Sequence, residues 1–230
     1  MDGKTAAAAT VILLPAGTAS GTAPASGTVC NGAYNGTFNG DITISAGQSC
    51  VFVYGGATGN ATENGGSLTL MSATVGGNVQ VQGGGFNINM ANIGGNLQVQ
   101  NLPPNSTQNQ ICGTTVKGDL QYQNCAAGVQ IDGASCAGNT IGGNLQVQNN
   151  TAATLLIGNN VHGDLQDNNN TAATQVTGNT VGNNLQCQNN TTITGGKHGQ
   201  AEARPLRGVL ASSDRNIFAI GRVRGVGSMQ

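Results

Sequence analysis

Across 230 residues the chain has no tryptophan, three tyrosines and four phenylalanines, and only 7% of its residues are charged. So few large side chains exclude an ordinary globular core of Leu and Phe. The net charge of −1 argues against disorder, since disordered chains pair low hydrophobicity with high net charge. Nucleic-acid binding lacks its basic, aromatic-bearing face in the repeats. No CxxC occurs and there are only two histidines, so neither a metal site nor a cofactor is expected. The apolar run near the N-terminus is too short to span a bilayer, and no transmembrane segment is expected in the mature chain. Glycine, by contrast, occurs 38 times.

What is present is a repeat. GGNLQVQNN at Gly142–Asn150 returns as HGDLQDNNN at His162–Asn170 and GNNLQCQNN at Gly182–Asn190, a period of 20 residues. Such self-similarity marks a solenoid, in which no single coil buries a core alone. The polar residue before each Leu-Gln pair gives a column of Asn78, Asn96, Asp119, Asn144, Asp164 and Asn184, with forerunners at Asp41 and Asn60. Successive spacings are 19, 18, 18, 23, 25, 20 and 20 residues, which gives about eight coils, mostly of 18–25 residues. The added lengths, Leu102 to Thr115 and Cys125 to Thr140, are expected to bulge from one corner of the stack.

Leu-Gln-Val-Gln has the period of two of a strand. Val79, Leu97, Leu120, Leu145, Leu165 and Leu185 should form one inward column, and Val75, Ile93, Val116, Ile141, Val161 and Val181 a second. Glycine and asparagine pairs belong at the corners, where positive φ is cheapest for those residues. A leucine-rich repeat would need a helical return limb, but NNTAATQVTGNT is poor in helix formers. The predicted fold is an all-β parallel β-helix of about eight coils, ~40 Å long at ~4.8 Å per coil.

Residues 1–25 read as an export signal: Lys4, an apolar run from Ala6 to Ala16, and the small-residue site Ala23-Pro24-Ala25. The solenoid then occupies residues 26–194, and a secreted or cell-surface location follows. Six cysteines in an exported chain point to disulfides. Cys112 and Cys136 should lie on adjacent coils and pair, and Cys30 with Cys50 should staple the first coil. Cys125 and Cys187 are left over, with Cys187 in the inward column of Val81, Val99, Tyr122 and Val147. Residues 195–230 form a basic non-repeat tail holding all five arginines. It is either an arm that contacts the last coil or an anionic surface, or sequence foreign to the native chain.

A catalytic reading needs clustered carboxylates. Asp119, Asp164 and Asp167 come nearest, but Asp119 and Asp164 fill an asparagine column as turn residues do. Asp167 falls in an inward column with no sequence-level explanation. His162 replaces a corner glycine and has no partner placed for a dyad. The outward columns form a flat amide face: Gln80, Gln98, Gln121, Gln146, Gln166 and Gln186, flanked by Gln82, Gln100, Gln123, Gln148, Asn168 and Gln188. Of these, Gln98, Gln100, Gln121, Gln123, Gln146, Gln148, Gln166, Gln186 and Gln188 are the candidate binding residues. Such amides either engage sugar hydroxyls or a like face, or only ladder along the stack. Threonine ranks at Thr151, Thr171 and Thr191, with Thr154, Thr174 and Thr194, raise ice binding as an alternative, although a gap of three places each pair on opposite faces.

The GGNLQVQNN, GDLQ and GNNLQCQNN elements, with NGTFNGDITIS at the first coil, resemble a group of uncharacterised secreted bacterial proteins built from this repeat. That resemblance covers Cys30 to Thr194 and implies a β-solenoid and export, with no activity attached. Val116-Lys117-Gly118-Asp119-Leu120 is more weakly similar to the strings of bactofilins, polymer-forming β-helices that are cytoplasmic and lack this leader and these cysteines. The expected function is a non-enzymatic structural or adhesion protein of the bacterial surface. Its expected partners are glycans, extracellular matrix or copies of itself. The alternatives are a polysaccharide-active enzyme and an ice-binding protein.

Overall fold

The computed structural model describes residues 28–104, 109–131 and 136–195. Both the leader (1–25) and all but the first residue of the basic tail lie outside them. Among the described residues there are strands and turns and no helix. The chain winds through three parallel sheets of nine, nine and eight strands, and each strand pairs with the equivalent strands of the coils before and after it. This is the predicted parallel solenoid, with eight three-strand coils and two further strands of a ninth.

One coil shows the plan. Val79–Gln82 lies in the first sheet, Gly85–Asn89 in the second and Asn92–Ile93 in the third. Alternation along the Leu-Gln strands puts every second residue inside, as in Leu97–Gln100, where Leu97 and Val99 are buried and both glutamines half-buried. Register is kept throughout, so Leu97 meets Leu120, Leu145 and Leu165 in turn. Both predicted aliphatic columns are buried, except that Leu185, in the last described strand of its sheet, is half-buried.

Three features differ from the sequence reading. The two insertions leave from different corners. The first lies between Leu97–Gln100 of the first sheet and Asn109–Cys112 of the second, and the larger part of the other lies between Val129–Ile131 of the second and Thr140–Ile141 of the third. One anchor per coil fixes total length but cannot assign it among three links. Corner chemistry differs as well. Positive φ falls after the strands, at Asn101, Asn124, Asn149, Asn169 and Asn189, whereas the Gly-Gly pairs before the first sheet serve close approach. A Cβ on Gly143 would collide with Asp119 Oδ1, and one on Gly142 with the Lys117 carbonyl. Finally, Ile193, not Thr194, stands over Thr174, so the inner threonine rank stops after Thr154 and Thr174.

Candidate functional site

The turn column before the first sheet is a continuous hydrogen-bonded ladder. The Oδ1 atoms of Asp41, Asn60, Asn78, Asn96, Asp119, Asn144 and Asp164 each accept the backbone N–H of the next coil's equivalent residue, at 2.6–2.9 Å. This accounts for the asparagine column. Aspartate serves in this column because the N–H rung needs only an acceptor, while Asn60 and Asn184 also donate their amides to Asp41 and Asp164 at 3.0 Å. Asp119 and Asp164 therefore do structural duty, each with one carboxylate oxygen turned along the stack.

Asp167 is the odd residue of the next inward column, between Val147 and Cys187 in register. It is 0% exposed. Its oxygens accept hydrogen bonds from the amides of Asn170 at 2.7 Å and Asn190 at 2.9 Å. Burial nevertheless dominates and pushes the Asp167 carboxyl up to about 7, against the smaller opposing pull of Asn170. Above it, the Cys187 thiol is pushed up to about 12 by burial and by the Asp167 charge, so it is a poor nucleophile. Cys125, also unpaired, is buried and raised for the same first reason.

A second buried acid escaped the sequence reading. Glu63 stands opposite Val81 and Ile44 in the same inward column, a position its spacing from Asn60 would have assigned. Oε2 accepts the Gln82 N–H at 3.2 Å, while Oε1 has no partner of good geometry. Burial raises its pKa, and the backbone N–H groups of Gly66, Gln82, Gly84 and Gly65 oppose that rise. Gly84 is required here because a Cβ would overlap the Gly66 carbonyl as well as Glu63 Oε1. Glu63 and Asp167 lie five coils apart in the column, too far to act as a catalytic pair.

The amide face resolves into two unlike rows. Gln98 donates to Gln121, Gln121 to Gln146 and Gln146 to Gln166, at 2.9–3.2 Å, with Gln186 in register above Gln166. In the flanking row Gln148 also donates to Gln166 at 3.1 Å, and the Gln188 backbone N–H donates to Asn168 at 3.1 Å. The side chains of Gln100 and Gln123 enter no ladder among the described residues. The inner row is thus mostly consumed within the stack, and in the outer row Gln100 and Gln123 keep their donors and acceptors while Gln148 and Asn168 are engaged.

Both expected disulfides are present, Cys30–Cys50 and Cys112–Cys136, with Cα separations of 5.3 and 5.9 Å. Two disulfides are compatible with an extracellular location. The outer threonines Thr151 and Thr171 are exposed turn residues, whereas Thr154 and Thr174 are buried and hydrogen-bonded to each other at 3.1 Å. The paired ranks that ice binding would need are split between surface and core. No helix among the described residues is long and apolar enough to cross a membrane. No family model, no curated protein and no solved structure matches this chain.

Proposed function

We propose that this is a secreted, non-enzymatic structural or adhesion solenoid of the bacterial surface, making contact through flat Gln, Asn and Thr faces with glycans, matrix or copies of itself. One observation carries the reading: a glutamine ladder locks the first sheet's surface while the neighbouring Gln100 and Gln123 keep free amides at strand spacing. A rigid row of donors and acceptors meets a sugar chain with little ordering cost. The non-enzymatic part draws support from Asp119 and Asp164, whose carboxylates are engaged with the backbone of the next coil.

The test is a glycan array probed with the purified chain, paired with an assay for newly released reducing ends. Retention of at least one polysaccharide without cleavage is expected. Release of reducing ends would overturn the reading in favour of a polysaccharide-active enzyme. Silence on the array together with filaments in electron micrographs would leave self-assembly as the contact, and silence in both would defeat the proposal.

A further inference from the structure

We infer that the third sheet carries a groove for an acidic polysaccharide, with Lys117 and His162 reading its acid groups. This rests on the glycan-contact reading above and gives it a face and a ligand class. The groove's wall is an outward row in unbroken register, Thr74, Asn92, Thr115, Thr140, Asn160 and Thr180. Two residues further along each strand comes a second column, glycine in four coils out of six (Gly76, Gly94, Gly142 and Gly182) and occupied in the other two by Lys117 and His162.

Around Lys117 the missing side chains leave a shallow notch of about 140 Å³, bordered by Thr74, Asn92 and Thr115 over Gly76 and Gly94. On its other side Gly142 separates it from His162, and the Lys117 carbonyl closes the Cβ position of Gly142. The open spaces beside Lys117 are thus kept open by backbone packing.

Both side chains are unengaged. Lys117 is the only lysine or arginine among the described residues. Neither its side chain nor that of His162 forms an ion pair or hydrogen bond there, and both are exposed. The nearest acids along the strand, Asp119 and Asp164, direct Oδ1 up the stack to the N–H groups of Asn144 and Asn184 at 2.7 and 2.9 Å. Two coils separate Lys117 from His162, roughly 10 Å at strand spacing. That is close to the length of two sugars in an extended polysaccharide, so the acids on every second sugar of a linear polyuronate would meet both while its hydroxyls met the Thr/Asn row. A small anion would reach only one of these two side chains at a time. A nucleic-acid strand would find no aromatic side chain in this wall on which to stack a base.

The test is binding of polygalacturonate, with dextran as the neutral comparison, to the full chain at low and high salt. Polygalacturonate should bind more tightly than dextran and lose affinity as salt rises. Lys117→Ala and His162→Ala should each weaken it by about fivefold, and Lys117→Glu by about tenfold. Met71→Ala, at an exposed second-sheet position outside both faces, should leave it within about twofold. All of these side chains are surface groups, so unchanged thermal unfolding will show that the variants fold. Polygalacturonate binding that ignores Lys117→Glu but falls when Gln100 and Gln123 are both replaced by alanine would overturn the groove and leave glycan contact standing. Preference for a single-stranded oligonucleotide over polygalacturonate would also overturn it. Failure of both polysaccharides, with an array equally silent, would remove the glycan reading itself.

Discussion

The first coils and the last coils solve the same corner problem with opposite chemistry. In the early coils the inward corner positions are Gly66 and Gly84 on one side and Ala73 and Ala91 on the other. The core is filled by Ile42, Ile44, Leu68 and Leu70 and closed by a ring cluster of Tyr34, Phe38 and Phe52 with centroids 4.9–5.9 Å apart. In the late coils the same corners hold Asn150, Asn170 and Asn190, and Asn139, Asn159 and Asn179. Their amides bond to one another and to carbonyls of preceding strands, as Asn170 does to Val147 and Asn179 to Leu156. Small apolar corners need no partner. Buried amides need every partner, because an unpaired one costs ~1–3 kcal/mol.

The sharpest break of this comparison is Asn170→Ala. It leaves the Asn150 amide and backbone N–H, the Val147 carbonyl and the Asp167 carboxylate short of a partner. We expect a loss of ~4 kcal/mol or more in urea unfolding. A loss below ~1 kcal/mol would mean that the ladders are passive.

Next comes the pH response of the late coils. The folded Asp167 carboxyl titrates at about 7, above its ordinary value of 3.8, so the folded state binds this proton more tightly than the unfolded one. Its contribution is fully present below the unfolded value and is lost as pH rises toward 7, amounting to ~4 kcal/mol in order of magnitude. Asp167→Asn should flatten that part of the stability profile between pH 4 and 8 and stabilise the protein at pH 8. Identical profiles for the two proteins would contradict this account of Asp167.

In the early coils, replacing Cys30 and Cys50 by serine opens a link between residues 20 apart in sequence and should cost ~3 kcal/mol. Hydrogen exchange should show the loss concentrated before residue 60, while the Asn-laddered coils keep their protection. Uniform loss would mean that the two halves unfold as one unit.

The smallest expected effect concerns backbone strain. After the second-sheet strands the early coils place Tyr54, Ser72 and Met90 at φ of 67°, 51° and 51°, where later coils have Gly113, Gly158 and Gly178. Met90 is 58% exposed, so its side chain gains little there. Met90→Gly should therefore stabilise by ~1 kcal/mol in thermal unfolding. A destabilising result would show that the Met90 side chain earns its place by packing.

Much of this was legible in the sequence. Residues that recur at fixed offset must stack, so the aliphatic columns, the glutamine rows and the Cys112–Cys136 and Cys30–Cys50 pairs could be placed by counting. Asp167 could be placed inward but not understood, because its partners Asn170 and Asn190 belong to a different corner, one of them in the next coil. The same limit hid the division of the glutamines, since a row of equal letters does not say which amides are already engaged.

By itself the repeat determined the solenoid, its inward and outward columns, and the bridged cysteines, because parallel in-register pairing turns offset in sequence into position along the axis. Only the tertiary structure decided which corner each insertion left from and where the final threonine rank slipped. It also decided which polar groups were consumed within the stack and which remained on the surface. Those depend on contacts between coils, and a spacing counted along one chain does not contain them.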